Sequence, residues 1–318
     1  RKNYPLADLI CYLPFDLPNN VNRFLDLVKP SVAIFIKYEF WINLLSELRR
    51  RKVRSYIVSA IFRRNSVFFR PYGAMWRQAL ETFDTLFVQN VESKRLLSEI
   101  GFDNVVVAGD TRFDRVAQIA AAAQRVETIE RFRGGGRLFV AGSTWGPDEE
   151  ILLPLVNANP DVKFVIAPHE MDEGRIAHLM RDAKGSAVRY TQCDAATRFD
   201  DVQVLVLDTM GMLSSVYGSA TWAYVGGGFG VGIHNTLEAA TFGLPIAFGP
   251  NYGKFKEARD MVSLGCAVSV RTAGELAAWF APLRDDEETL RRGSRTAKDY
   301  TARNQGATGI ILRSIFNS

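Results

Sequence analysis

The sequence predicts an α/β protein built from two doubly wound, Rossmann-like domains. Three observations predict this class. The chain has 318 residues, of which 47% are hydrophobic; short apolar runs recur along its whole length; and segments of helical length separate these runs. Such runs are typical of parallel strands that helices cover on both faces, and the length suits two domains of ordinary size.

The predicted strands form two series. The first comprises residues 8–14, 32–36, 55–59, 85–89 and 105–109, and the second comprises residues 137–143, 163–168, 202–208, 221–227 and 245–249. Between the series, a segment rich in Ala, Gln and Glu predicts a helix over about residues 115–132 that ends at the glycines of "RFRGGGR". We therefore expect one domain over residues 1–131 and a second over residues 132–318.

The composition narrows the class of protein. The net charge is +4, and residues 1–130 carry 19 Lys and Arg against 14 Asp and Glu, so the basic excess belongs to the first domain. The chain has three cysteines, Cys11, Cys193 and Cys266, whose spacing suits neither a metal site nor a disulfide framework. We therefore expect them to be core residues of a protein in a reducing compartment. No apolar run reaches the roughly 20 residues that span a bilayer, and no signal peptide opens the chain.

The start of the chain leads us to expect a further segment upstream. The first residue is Arg1 rather than Met, and the apolar stretch "ADLICYLP" follows almost at once. We therefore expect the first strands of the first domain to lie in that upstream segment.

A glycine-rich loop follows the predicted strand 221–227 and runs into a helix. Its glycines leave backbone N–H groups open to a ligand, and the helix N-terminus favours an anion; they are Gly226, Gly227, Gly228, Gly230 and Gly232. Glu238, one turn inside the helix, is placed to accept hydrogen bonds from a ribose diol. In the alternative interpretation Asn235 caps the helix and Glu238 is its capping-box partner. The loop lies late in its unit rather than after the first strand, which argues against a dehydrogenase.

Two further loops of the second domain lie where ligands bind in open α/β sheets, at the carboxyl ends of strands. After residues 137–143, Ser143 or Thr144 begins a helix whose first turn is acidic. After residues 163–168, His169 and Arg175 are candidates for contact with a phosphate or a base, and a histidine that serves packing alone is the alternative.

The loop after residues 202–208 contains Asp208, Thr209 and Gly211. Asp208 and Thr209 suit the cap of the next helix. The functional alternative is a second wall of a nucleotide pocket, which Gly211 lets a ligand approach closely.

Two charged residues follow strands of the first domain. Glu39 lies after residues 32–36, either as a buried carboxylate that needs a functional reason or as an acid at a helix start. Arg112 lies after residues 105–109, where it either meets a phosphate or pairs with Asp110 or Asp114.

The segment from Leu48 to Leu80 contains nine Lys and Arg and no acid, interleaved with aromatic residues. A helix surface over core aromatics explains this composition. An anionic membrane surface or a phosphorylated lipid also suits it, and Arg63, Arg64 and Arg70 are the candidates for that contact. Single-stranded nucleic acid fits the composition too, but no RNA-binding signature is present.

Seven pieces of the sequence, in order along nearly the whole chain, resemble one family. They are "LPFDLP", "EFWINLL", "GDTRFD", "AGSTWGPDEE", "DTMGMLSSVYGSA", "VGGGF...GIHNTLEAATFGLPIAFGP" and "NYGKFKEA". The family is that of the 3-deoxy-D-manno-octulosonic acid (Kdo) transferases of lipopolysaccharide synthesis. The resemblance implies the two-domain GT-B fold, with the active site in the cleft between the domains and the last helix packed back on the first domain.

The resemblance also implies the reaction. An enzyme of this family moves Kdo from CMP-Kdo onto a lipid A precursor with inversion at the anomeric carbon. It implies a location at the cytoplasmic face of the inner membrane, with an anchor and a general-base glutamate in the expected upstream segment. The implied partners are CMP-Kdo, the lipid A precursor and an anionic membrane surface, without nucleic acid. No cofactor is expected, and the sequence has no Asp-x-Asp site, so we expect no metal.

The resemblance assigns the site residues. Those expected around the cytidine and ribose are Met210, Gly211, Met212, Asn235, Thr236, Leu237 and Glu238, with Pro168 and His169 at the base and Ser143, Thr144, Gly232 and His234 nearby. Glu39 and Arg112 match positions that stabilise the transition state, in which an oxocarbenium-like centre forms while the CMP phosphate leaves. The family usually has lysine where Arg112 stands, a change that keeps the charge and alters its geometry.

Two other functions remain open from the sequence. One is a different GT-B enzyme, a UDP-sugar transferase or epimerase, because the fold alone does not fix the sugar. The other is a non-catalytic module that binds a nucleotide sugar or a membrane surface.

Overall fold

The computed structural model describes residues 4, 6–183 and 186–316. The chain divides into two compact units. The first comprises Arg1–Thr111 with Gly306–Ser318, and the second comprises Arg112–Gln305.

The first unit contains a parallel sheet of four strands in the order β1-β2-β3-β4. The strands are β1 (Val32–Ile36), β2 (Arg54–Ala60), β3 (Thr85–Val88) and β4 (Val105–Val107). The helices are α1 (Pro18–Val28), α2 (Ile42–Arg50), α3 (Ala74–Leu80), α4 (Val91–Ser98) and, from the end of the chain, α14 (Ala307–Phe316). Helices cover both faces, which explains why the runs that form β2 and β3 are almost wholly apolar.

Polar side chains satisfy backbone donors at the start of two of these helices. The Asp16 carboxylate accepts hydrogen bonds from the backbone N–H groups of Asn43 and Leu44 at 3.0 and 2.9 Å, in the first turn of α2. Asn90 accepts from the backbone N–H of Ser93 at 2.7 Å and so caps α4. Each contact satisfies a donor that the helix itself leaves without a partner.

The second unit contains a parallel sheet of seven strands in the order β11-β10-β9-β5-β6-β8-β7. The strands are β5 (Leu138–Thr144), β6 (Lys163–Pro168), β7 (Ser186–Arg189), β8 (Val202–Val206), β9 (Trp222–Val225), β10 (Ile246–Phe248) and β11 (Ala267–Ser269). The helices are α5 (Thr111–Ala122), α6 (Glu127–Arg133), α7 (Gly146–Ala158), α8 (Glu173–Asp182), α9 (Leu213–Tyr217), α10 (Thr236–Thr241), α11 (Lys256–Ser263), α12 (Ala273–Asp285) and α13 (Glu287–Arg303). Two apolar cores lie on the two faces of this sheet.

The structure differs from the sequence prediction at the boundary between the units. The predicted boundary at residue 131 falls inside the second unit, and the single helix predicted over residues 115–132 is two helices, α5 and α6. The boundary differs because both helices pack into the core of the second unit. Phe113 and Val116 on α5 and Ile129 and Phe132 on α6 lie in that core.

Three other elements also differ. Residues 8–14 form no strand, and Leu9 and Tyr12 are exposed, so their apolar run has no ladder partner. Strands β7 and β11 were not predicted, because each is a short, half-buried edge strand with weak apolar character.

Of the cysteines expected in the core, only Cys266 is buried; Cys193 is half-buried and Cys11 is exposed. Among the described residues, no helix combines the length and the apolar character needed to cross a bilayer.

Candidate functional site

The candidate site lies at one edge of the seven-stranded sheet. Because β5, β6, β8 and β9 are parallel, their carboxyl ends meet at the same edge. The loops that leave these ends carry the residues predicted for the donor. The structure thus brings the end of β5 at Ser143 and the loops that contain His169, Asp208 and Gly226 to a common edge.

The glycine loop packs tightly against the strand ends. A Cβ added at Gly226 would lie 2.2 Å from the carbonyl oxygen of Ser143, and one added at Gly228 would lie 2.6 Å from the Cα of Gly249. Gly227 has a φ of 89°, a conformation that favours glycine. These glycines therefore have a packing reason within the protein, besides the ligand-binding reason that the sequence predicts.

Asp148 fastens this loop to the sheet. Its side chain is fully buried, and it accepts hydrogen bonds from the Tyr224 hydroxyl at 2.8 Å and from the backbone N–H groups of Gly227 and Trp145 at 2.9 Å. Burial raises the pKa of the Asp148 carboxyl, although these hydrogen bonds oppose the rise. Sequence reasoning gave this residue only the role of an acid in a helix first turn. Its position three residues after Trp145, in capping-box spacing, was the available signal.

Glu149 and Arg175 form a second buried polar contact. The Glu149 carboxylate, whose side chain is 6% exposed, accepts from the guanidinium of Arg175 at 2.9 and 3.0 Å and from the Thr144 hydroxyl at 2.7 Å. Arg175 also donates to the Thr144 carbonyl at 2.8 Å, and its guanidinium carbon lies 5.7 Å from the centre of the Trp145 ring. Arg175 was predicted to contact a phosphate or a base, and the structure pairs it with the Glu149 carboxylate. The hydroxyl of Thr144 also donates to Glu149, inside the protein.

Three aromatic rings stack at this edge. The ring of His169 lies 4.8 Å from that of Trp145 and 4.3 Å from that of His234, at interplanar angles of 30° and 28°. The indole Nε1 of Trp145 donates to Nε2 of His234 at 3.2 Å. Burial lowers the pKa of His234, the nearby His169 lowers it further, and Asp148 opposes both. Of the three rings, only Trp145 was not a predicted site residue.

Glu238 is half-buried at the start of α10 and is held at both carboxylate oxygens. Ser214 donates to one at 2.7 Å, and the side-chain amide of Asn235 donates to the other at 3.0 Å. Asn235 also accepts from the backbone N–H of Leu237, so it caps the helix as the alternative interpretation predicts. Thr236 and Leu237 are buried, so their side chains serve the core.

The loop after β8 is anchored by Asp208 and exposed at its tip. Asp208 accepts from Arg189 at 2.7 Å and from the backbone and hydroxyl of Thr191 at 2.9 and 2.6 Å. Burial alone raises the pKa of Asp208, but these hydrogen bonds outweigh it and the pKa is lowered. At the tip, Met210 is 77% exposed and Gly211 has a φ of 85°.

The remaining members of the predicted donor site lie against the core. Met212 is partly buried and packs against it, and Pro168 ends β6 as a buried residue. Gly232 has a φ of 142°, and a Cβ there would lie 2.8 Å from the side chain of Lys254.

The two residues predicted to stabilise the transition state have different surroundings. Glu39 was considered as a buried carboxylate, but it is exposed and accepts from the Trp41 indole at 2.7 Å, because the chain leaves the sheet at the edge strand β1. Glu39 and Trp41 border an apolar groove of about 660 Å³ beside β1. Arg112, in the first turn of α5, donates to Glu257 at 2.7 Å, and the Glu257 side chain is buried.

The basic stretch separates into core aromatics and surface arginines. Phe62 and Phe68 are buried and pack edge to face at 5.3 Å, as the packing interpretation predicts. Three arginines lie exposed and are named here the basic surface: Arg63, Arg64 and Arg70. Arg64 pairs with Glu99 at 3.3 Å. Within the described ranges, no group of three or more His, Cys, Asp or Glu side chains is placed to hold a metal ion.

Comparison with known proteins bears on the family. Residues 1–115 match the family described as 3-Deoxy-D-manno-octulosonic-acid transferase (kdotransferase). The 3-deoxy-D-manno-octulosonic acid transferase of Bordetella pertussis is 27% identical over 314 residues, which cover 96% of this chain and 73% of that protein. The protein of the same name from Haemophilus influenzae is 25% identical over 319 aligned residues, which cover 95% of this chain and 73% of that protein.

Solved structures bear on the fold. The UDP-GlcNAc 2-epimerase of Neisseria meningitidis, bound to UDP-GlcNAc, matches with a TM-score of 0.66 at 16% identity over 95% of this chain and 80% of that chain. An α,α-trehalose-phosphate synthase of Burkholderia xenovorans matches with a TM-score of 0.52 at 13% identity over 94% of this chain and 75% of that chain. With the two parallel sheets, these likenesses show the GT-B fold. The resemblance predicted from the sequence motifs is confirmed: the chain is related to the Kdo transferases along nearly its whole length.

Proposed function

We propose that this protein is an inverting, metal-independent Kdo transferase of lipopolysaccharide biosynthesis, which uses CMP-Kdo as donor and a lipid A precursor as acceptor. The relation to the Kdo transferases supports Kdo transfer. The donor, the acceptor and the stereochemistry are the finer parts of the proposal, and the geometry of the second unit supports the donor.

The observation that carries the donor proposal is the fixed carboxylate of Glu238. Each of its oxygens accepts one hydrogen bond from the protein, from Ser214 or from Asn235, and a carboxylate oxygen has a second lone pair for another donor. Two oxygens held side by side are suited to accept the two hydroxyls of a ribose. Because the protein already holds the carboxylate in place, little side-chain entropy is lost when a nucleoside binds.

The phosphate is proposed to lie beside the glycine loop and the start of α10. The loop is rigid where Asp148 and the strand ends hold it, and backbone N–H groups at a helix start favour an anion. Arg112 is proposed to stabilise the negative charge that develops on the departing phosphate. Its guanidinium is oriented in advance by Glu257, and a cation fixed before the reaction loses no energy to reorganisation.

The acceptor and the location belong to the same proposal. Glu39 would stabilise the positive charge at the anomeric centre. The basic surface would face anionic lipid at the cytoplasmic face of the inner membrane, where a lipid A precursor is held, because arginines next to a membrane gain attraction from anionic headgroups.

The test is calorimetric titration of the purified chain with CMP, with UDP as competitor and with EDTA present or absent. We expect CMP to bind and EDTA to change nothing. The Glu238→Ala variant should lose CMP binding, because the ribose loses both acceptor atoms. The matched control is Glu150→Ala, which removes an exposed glutamate from α7 of the same unit and should bind CMP as the unmodified chain does.

Three outcomes would contradict parts of the proposal. Preference for UDP over CMP would favour a UDP-sugar enzyme of the same fold. Unchanged binding by Glu238→Ala would remove Glu238 from the nucleoside site. Binding that disappears with EDTA would contradict metal independence.

A further inference from the structure

The hydrogen bond between Trp145 and His234 fixes the position of a proton. An indole nitrogen can only donate a hydrogen bond. The acceptor, Nε2 of His234, lies 3.2 Å from Nε1 of Trp145, so Nε2 must present its lone pair rather than a hydrogen. In the neutral imidazole the remaining proton then lies on Nδ1.

His169 and the local backbone hold this pair in place. The ring of His169 stacks on both Trp145 and His234. The backbone N–H of His169 donates to the Thr144 carbonyl at 2.9 Å, and that of His234 donates to the Gly226 carbonyl at 3.0 Å. The three rings are thus tied to the ends of three neighbouring strands, β5, β6 and β9, which leaves His234 little freedom to turn its ring.

On balance, the groups around His234 disfavour the protonated, positively charged form of its imidazole. Asp148 favours the charged form, but it already accepts three hydrogen bonds. His169 stacks on the ring, Arg175 lies over Trp145, and Lys254 donates to the carbonyl of Val231 in the same loop. Glu238 stands four residues further on, where Ser214 and Asn235 hold its carboxylate. Burial and the neighbouring His169 lower the pKa of His234, in agreement with this balance.

We propose that Trp145 is a positioning residue of the donor site, which holds His234 as a neutral imidazole with its proton on Nδ1. His234 then carries a hydrogen-bond donor at Nδ1, and the charge of its ring does not change near neutral pH. The role of this donor toward a nucleotide phosphate rests on the proposed function, whereas the tautomer itself can be measured without any ligand.

The first measurement is the tautomer of His234 in the unmodified protein. The chain has three histidines, so two-bond ¹H–¹⁵N correlation spectra of the ¹⁵N-labelled protein resolve each ring. The His234→Gln variant assigns the signal, and His178, exposed on α8, supplies an internal reference. We expect a protonated Nδ1 and an unprotonated Nε2 for His234, and a titration below the ordinary histidine value of about 6.5. A proton on Nε2 at pH 7.5 would overturn the inference.

The second measurement removes the indole donor. In Trp145→Phe the lone pair of Nε2 is no longer occupied, so we expect a mixture of tautomers and a higher pKa for His234. The matched control is Trp279→Phe, on α12 of the same unit and outside the stack, which should leave the His234 signals unchanged. Unchanged tautomer and titration in Trp145→Phe would also overturn the inference.

Titration with CMP separates this inference from the proposed function. Because a protonated His234 attracts the phosphate, the affinity of Trp145→Phe relative to the unmodified chain should rise about three- to fivefold from pH 8 to pH 6; a ratio independent of pH would count against the inference. If CMP fails to bind while His234 carries its proton on Nδ1, the proposed function fails and the tautomer stands. If CMP binds while the proton is on Nε2, only the inference fails.

Discussion

The contact between Glu149 and Arg175 offers a sharp test of how the donor edge is held together. The Glu149 side chain is 6% exposed and that of Arg175 is 16% exposed, and the two are joined by two hydrogen bonds. Glu149 also accepts from the Thr144 hydroxyl. The substitution Glu149→Ala therefore leaves a nearly buried guanidinium without its counter-charge and a buried hydroxyl without its acceptor.

The expected loss of stability is large. Removing one partner of a buried ion pair costs about 3–5 kcal/mol, because the other charge stays buried. For a unit of this size, each kcal/mol corresponds to about 2–4 °C in the unfolding midpoint, so we expect a fall of about 6–20 °C. The double variant Glu149→Ala with Arg175→Met should recover part of the loss, since it removes the stranded charge as well.

Thermal and urea unfolding followed by tryptophan fluorescence measures this effect, because Trp145 adjoins the pair and Trp222 lies in the core of the same unit. The neighbouring residue supplies the control: Glu150→Ala removes an exposed carboxylate from the same helix and should leave the midpoint unchanged. If Glu149→Ala unfolds at the same temperature as Glu150→Ala, the assignment of a buried ion pair is wrong.

Three further predictions follow from the same structure. Gly226→Ala should destabilise the second unit by about 1–3 kcal/mol or more in urea unfolding, because its Cβ would meet a carbonyl at 2.2 Å, whereas Gly230→Ala, whose nearest neighbour is at 3.7 Å, should unfold as the unmodified chain does. Burial raises the pKa of Asp148, so its stabilising contribution is complete below the unfolded value of about 3.9 and declines as pH rises through the folded value. The stability of the unmodified chain relative to Asp148→Asn should therefore fall from pH 4 toward neutrality in urea unfolding at each pH, and a constant or rising difference would refute this. Reversing the three charges of the basic surface to Glu should reduce sedimentation with anionic vesicles but not change residual binding to neutral ones; equal binding would refute a membrane role.

Much of the fold follows from apolar patterning in the sequence. Strands such as β6 and β9 are buried on both faces, so their sequences are continuous apolar runs that stand out from the helices around them. The run at residues 8–14 is equally apolar, yet it forms no strand, because a strand also needs a partner and the runs alone do not specify pairing. The predicted boundary at residue 131 was wrong for a similar reason. Three glycines mark the end of a helix, but the unit to which the helix belongs depends on the core against which it packs.

The candidate site was predictable where a residue type has one evident use. Glycines, a capping Asn and a carboxylate at a helix start pointed to the glycine loop and to the start of α10, which carries Glu238. Asp148, Glu149 and Trp145 were missed as site residues because their partners are far away in the sequence: Asp148 bonds to Tyr224 and Gly227, and Trp145 bonds to His234. Long-range pairing of this kind leaves no periodic signal in one sequence.

The position of α14 has a consequence for the order in which the protein folds during synthesis. This helix buries Ile311 and Ile315 against Tyr56, Val58 and Phe87 on the sheet of the first unit, and the carbonyl of Ile315 accepts from Arg54 at 2.9 Å. The ribosome makes that sheet before the second unit and the helix after it. The face of the sheet that α14 covers therefore stays exposed until the whole second unit has been translated. A fragment that stops at Thr111 would keep that apolar face exposed to other chains.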